Sequence, residues 1–213
     1  MAAGIAEMAG AACIICHLRE DRRHINDRDL RLLRQTIKTR LNMEMAAVDE
    51  MIEIARDIRP DMVTLVPERR EELTTEGGLD VKADTDLYAK VVERLSDKGI
   101  KVSFFVDPDP SQIMAAHRAG ADIVEIHTGH YSEASSEDEA EQRLKRISEA
   151  VDASADLKLG VSAGHGLNYY NIKRFRFIPR IDEYSIGHSI VARAIFVGLD
   201  QAVREMIDLI KGF

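Results

Sequence analysis

The run HLREDRRHI at 17–25 sets two histidines and three arginines immediately after an apolar stretch, CIIC at 13–16. His17 and His24 belong to the residue type that titrates near neutrality and carries protons. Arg19 can fork around a phosphate or carboxylate. The plain alternative is a solvated loop whose cations pair with Glu20 and Asp21. Similar groups close other apolar runs. Asn42 and Glu44 share one face of a strand opposite Met43 and Met45, and a carboxylate held inside a fold can have its pKa raised enough to shuttle protons. The competing role for Glu44 is a structural pair with Arg40 or a neighbouring strand.

Glu125 and His127 share another strand face, and His130 completes a His-x-x-His spacing. Without a His-x-His, a Glu-x-x-His or an Asp-rich loop this is a weak metal signal, and no metal is expected. His165 stands between Gly164 and Gly166, where glycines let a ligand approach the backbone and leave amide N–H groups for an oxyanion. Gly187 and His188 precede a helical pattern whose N-terminus favours a phosphate. Thr74, in the loop TTEGG at 74–78, can hydrogen-bond a ligand, although the composition suits a plain solvated loop equally well.

Positioning these groups requires a regular scaffold. Seven short apolar runs, at 13–18, 39–45, 61–67, 101–106, 123–128, 157–163 and 184–188, read as strands. Helical patterns alternate with them at 26–37, 46–58, 84–98, 110–119, 136–153, 189–197 and 200–210, punctuated by Asn26, Pro60, Gly99 and Gly120. The alternation implies a parallel sheet, and its mostly apolar strands imply that both faces are covered. An open doubly wound sheet gathers its polar groups at one switch point. Here they sit at strand ends all along the chain, which favours an α/β fold of the (β/α)8 TIM-barrel class. Such a barrel needs eight strands and only seven are recognisable. The opening residues 2–9 look like the end of a helix, so one strand is expected to be absent at the amino end.

The 213 residues suit a single domain, 1–213, with 45% apolar and 31% charged residues. A net charge of −8 offers no general attraction to nucleic acid or to an anionic membrane. Any phosphate recognition is therefore local. No apolar run approaches the roughly 20 residues of a membrane span. The first residues have no basic region followed by an apolar one, so the expected location is cytoplasmic. Cys13 and Cys16 formally spell Cys-x-x-Cys, but Ile14 and Ile15 lie between them and there is no second pair. Two buried strand thiols are expected, not a redox or zinc motif.

Seven segments together carry a family resemblance: HLREDRRHI at 17–25, NMEMA at 42–46, VPE at 66–68, TTEGGLD at 74–80, EIHTG at 125–129, AGHGLNYYN at 163–171 and IGHSIVARA at 186–194. In this order, and over essentially the whole chain, they resemble the deoxyxylulose-dependent pyridoxine 5′-phosphate synthase family of vitamin B6 biosynthesis. The resemblance implies a (β/α)8 barrel with extra helices, assembled as a homo-octamer. It implies condensation of 1-deoxy-D-xylulose 5-phosphate with 3-amino-2-oxopropyl phosphate, closing a pyridine ring and releasing phosphate and water, with no metal or organic cofactor. By the same resemblance His17 and Glu44 accept protons, His165 donates one, and Glu125 stabilises a cationic transition state. Arg19, His24 and Thr74 would hold the deoxyxylulose phosphate; Gly166, Gly187 and His188 would hold the aminoketone phosphate. The family's opening strand, ending in Asn-x-Asp-His, has no counterpart here, and little activity is expected of the chain without it. A non-catalytic phosphate-binding barrel or assembly subunit is the alternative from another class, and a metal-dependent barrel hydrolase a third. The basic, aromatic stretch Lys173–Phe177 is left over as a candidate interface patch.

Overall fold

The computed structural model describes residues 1–68 and 77–213. Helix α1 (Ala2–Ala9) ends at Gly10 in the left-handed conformation and leads into β1 (Cys13–His17). Strands and helices then alternate: α2 (Asp27–Thr36), β2 (Arg40–Met45), α3 (Asp49–Ile58), β3 (Met62–Leu65), α4 (Thr85–Ser96), β4 (Lys101–Val106), α5 (Pro110–Arg118) and β5 (Ile123–His127). A single-turn α6 (Gly129–Ser132), the long α7 (Glu137–Asp156), β6 (Gly160–Gly164), β7 (Glu183–Ser185), α8 (His188–Val197) and α9 (Leu199–Ile210) complete the order. None of the described helices is long and apolar enough to cross a membrane.

Local chemistry sets most boundaries. Asn26 and Asp29 form a reciprocal capping box on α2. Asp109 caps α5, with Pro110 at the first helical position where its missing N–H costs nothing. Sequence expectation erred on two strands. The stretch 157–163 begins as a strand only at Gly160, because α7 runs on to Asp156 and Lys158 turns the chain with φ +62°. The run 184–188 supplies only Glu183–Ser185; Gly187 and His188 instead cap and open α8.

Among the described residues, seven strands lie parallel in sequence order, β1 to β7. Their outward residues form the core beneath the helices: Met43, Met45, Val63, Leu65, Val102, Phe104, Val124 and Ile126 are fully buried there. The inward residues include the polar Asn42, Thr64, Ser103, Glu125 and Ser162, with Phe105 sharing that face in register with Glu125, and Asn42 Nδ2 donates to Thr64 Oγ1 at 2.9 Å. The two-residue period of the strand thus separates an oily outer layer from an interior face that gathers the polar side chains. No ladder joins β1 to β7 among the described residues; at that seam Arg40 Nη2 donates to Glu183 at 2.5 Å.

An unforeseen device recurs at the amino ends of the strands. Asp61 accepts the Leu41 N–H at 2.8 Å, Asp122 the Val102 N–H at 2.9 Å, and Asp182 the Val161 N–H at 2.9 Å. Each aspartate directly precedes or adjoins one strand and clamps the start of the strand before it. Cys13 and Cys16 lie three residues apart and so face opposite ways. Cys16 is buried as expected and Cys13 only half-buried; burial, with Glu183 nearby for Cys13 and Glu44 for Cys16, pushes each thiol up to about 12.

Candidate active site

The reactive side chains collect at the carboxyl ends of the strands. His17 ends β1 and Glu44 lies beside it in register on β2. His17 Nδ1 stands 3.8 Å from Glu44 Oε2, while Nε2 is 2.8 Å from Glu68 Oε1. Arg40, the sequence alternative as partner of Glu44, turns instead to Glu183. Glu68 also accepts the Glu20 N–H at 3.1 Å, tying the loop after β1 to the loop after β3. Burial works against the Glu68 charge, but the hydrogen bonds from His17 and Glu20 outweigh it and hold the carboxyl below its usual range. An ionised Glu68 places the proton of His17 on Nε2 and leaves Nδ1 as the basic nitrogen, toward Glu44. Glu68 appears in the VPE segment, but nothing local marks it as a partner of a histidine 51 residues away.

Glu125 is 3% exposed. Burial first, then the neighbouring Glu44, lifts its carboxyl to about 8, against a hydrogen bond with Ser185. Glu44 is raised too, chiefly by burial, with His17 drawing it back. Two carboxyls in one interior thus repel each other's charge, and one proton is retained between them near neutrality. Gly164 makes the room: a Cβ there would lie 2.2 Å from Glu125 Oε1.

His165 follows β6 with φ +78°, a left-handed conformation that costs a non-glycine residue about 1–2 kcal/mol. Thr128 Oγ1 donates to the His165 and Gly164 carbonyls at 2.5 and 2.7 Å. Burial, then His127, lowers the imidazole pKa, so His165 is mostly neutral at neutral pH. Gly166 also has positive φ, and a Cβ there would meet Ser132 Oγ at 2.0 Å.

The remaining candidates divide. Arg19 is buried, with Nε 3.5 Å from Asp21. His24 is exposed on the loop before α2, and Gly187 and His188 are exposed at the N-terminus of α8, which has no acidic residue in its first turn. Thr74 lies outside the described residues. Asp107, His127 and His130 bring one potential ligand atom each within 4.8 Å of one another. Arg143 and Arg146 line the same 230 Å³ cavity together with Asp107 and Asp109, so two cations face two carboxylates there.

A parallel α/β barrel with titratable groups gathered at its carboxyl end defines the class: an enzyme of the barrel type. The match to known proteins narrows it. Residues 1–212 match the family model described as pyridoxal phosphate biosynthesis protein PdxJ, and the chain belongs to that family. It is 60% identical over 210 residues to a pyridoxine 5′-phosphate synthase of Geotalea daltonii, covering 99% of this chain and 88% of that relative. It is 57% identical over 205 residues to one of a Synechococcus species, covering 96% and 86%. Among solved structures, KGPDC from Streptococcus mutans superposes with a TM-score of 0.70 at 15% identity, covering 99% of this chain and 89% of that one, which supports the barrel fold alone.

Proposed function

We propose that this chain is a pyridoxine 5′-phosphate synthase, condensing 1-deoxy-D-xylulose 5-phosphate with 3-amino-2-oxopropyl phosphate as one barrel domain, 1–213, in the cytoplasm. The observation that carries this is the interior set His17, Glu44 and Glu125 beside the His165 turn, in a member of the PdxJ family. Imine formation and the dehydrations that follow need groups that take and return protons near neutrality. His17 accepts through Nδ1 because Glu68 occupies Nε2, and Glu44 accepts where burial has made its carboxyl more basic. Glu125, protonated near neutrality, balances a cationic intermediate by releasing its proton. His165, neutral at rest, donates after collecting a proton during the reaction.

Arg19, His24 and Thr74 would hold one phosphate, and Gly166, Gly187 and His188 the other, with the α8 N-terminus facing the second. Two local anion sites reconcile a chain of net charge −8 with two phosphorylated substrates. A homo-oligomer, an octamer in the assembly implied by resemblance, is supported by the exposed row Val191, Ile195 and Phe196 on α8. Phe177 is exposed as well, in keeping with an interface at Lys173–Phe177.

The test is incubation of purified chain with both substrates and detection of pyridoxine 5′-phosphate. Formation of product supports the assignment. Binding of both substrates without product, both here and in a chain extended by the family's opening strand, would replace it with a phosphate-binding barrel, and activity requiring a stoichiometric metal would replace it with a metalloenzyme.

A further inference from the structure

We infer that Asp107 and His127 form a positioning pair for His165, an assignment that rests on His165 being the proton donor proposed above. His127 ends β5, two residues beyond Glu125 on the same face, and is 2% exposed. Its Nδ1 lies 2.9 Å from Asp107 Oδ1, and Asp107 follows directly after β4. The His127 and His165 rings meet edge to face, 5.1 Å between centroids, and Phe105 packs against His127 at 5.0 Å. His127 is therefore held on one side by a carboxylate and presents a ring wall to His165 on the other.

Three further features show how closely this arrangement is fitted. Gly129 carries no side chain, and a Cβ there would sit 2.4 Å from His127 Nε2 and 3.0 Å from His165 Cδ2. Asp107 Oδ1 also accepts the Gly78 N–H at 3.1 Å, and a Cβ on Gly78 would lie 2.1 Å from the Asp107 nitrogen. Thr128, the residue after His127, grips the His165 carbonyl. Backbone and ring of the donor are thus both held by the end of β5, and Asp107 fixes that end against the chain at Gly78.

A hydrogen-bonded carboxylate sets both the tautomer and the ring angle of a histidine, as it does in metal sites and triads. Here the oriented ring in turn limits the rotation of His165, whose strained backbone offers no regular secondary structure to hold it. The charged and titratable groups around the His165 ring are His127 and Glu133, with Asp107 and His130 reaching it through His127.

The experiment uses the full chain with ¹⁵N-labelled histidine. His127→Phe keeps a ring but breaks the link to Asp107, Asp107→Ala breaks it from the other end, and Asp107→Asn retains a hydrogen-bond acceptor. The His165 titration is expected to move upward in His127→Phe, since His127 is one of the neighbours that lower it. Asp107→Ala should lower kcat about 10- to 100-fold with KM within about twofold, the scale of a misplaced catalytic group. Asp107→Asn should recover most of that loss. A folded His127→Phe protein whose His165 titrates as in the wild type overturns the inference, as does a folded Asp107→Ala protein with unchanged kcat. Should neither the wild-type chain nor one extended by the family's opening strand form pyridoxine 5′-phosphate, the functional proposal fails, and the His165 titration still decides whether the pair acts on this histidine.

Discussion

His17 Nε2 and Glu68 Oε1 lie 2.8 Å apart across 51 residues of chain. This bond joins the loops after β1 and β3 and decides which nitrogen of His17 faces Glu44. Removing its acceptor is therefore expected to affect both structure and chemistry. Glu68→Ala should cost about 1–3 kcal/mol, because the Glu20 N–H loses its acceptor and the His17 ring its charged partner. Urea denaturation measures the cost, and unchanged stability together with unchanged product formation would refute the link.

Glu44→Gln keeps the shape of the side chain and removes its basicity. Product formation should fall at least about 100-fold, the usual scale of a lost acid/base group, with binding of either substrate nearly unaltered. Steady-state kinetics and calorimetric titration separate the two effects. A weakened affinity with intact turnover would recast Glu44 as a binding residue.

Glu125 predicts a pH dependence of stability. Its carboxyl is raised to about 8 in the folded chain from an ordinary 4.5. As pH rises between those values the unfolded chain ionises this group first, so the folded state loses stability, and the penalty levels off above about 8. Below about 4.5 both states are protonated and the group contributes nothing. Glu125→Gln should remove this loss, stabilising the protein at pH 8–9 by on the order of a few kcal/mol and leaving it unchanged near pH 4. Denaturation curves across that range check the sign; a variant less stable at pH 9 than at pH 4 relative to wild type would contradict it.

Asp122→Ala opens one clamp and leaves the Val102 N–H without its 2.9 Å acceptor. A loss of about 1 kcal/mol is expected, with faster hydrogen exchange at the start of β4. Equal exchange in variant and wild type would show that the clamp is not needed.

Ile195 and Phe196 on α8 are 80% and 83% exposed. Replacing both with Asp should reduce the molar mass found by light scattering at micromolar concentration, while circular dichroism stays unchanged. An unaltered mass would move the proposed interface elsewhere, with Phe177 next to be tested.

Much of this molecule is legible from residue order alone, because strand alternation, helix caps and glycine stops act over a few neighbours. Asn42 and Glu44 face inward and Met43 and Met45 outward, as the two-residue period requires. The histidines and carboxylates at strand ends were visible for the same reason, as was the capping of α2 by Asn26. The joint motif set was specific enough to indicate the family. Tertiary structure decided the rest. Glu68 reaches His17, Asp107 reaches His127, and Asp61, Asp122 and Asp182 clamp neighbouring strands, because parallel pairing brings together segments about 20 to 50 residues apart. The raised carboxyls of Glu44 and Glu125 are likewise tertiary facts. A side chain's desolvation and its like-charged neighbour exist only once the barrel has enclosed them, and no spacing along the chain encodes how dry that interior is.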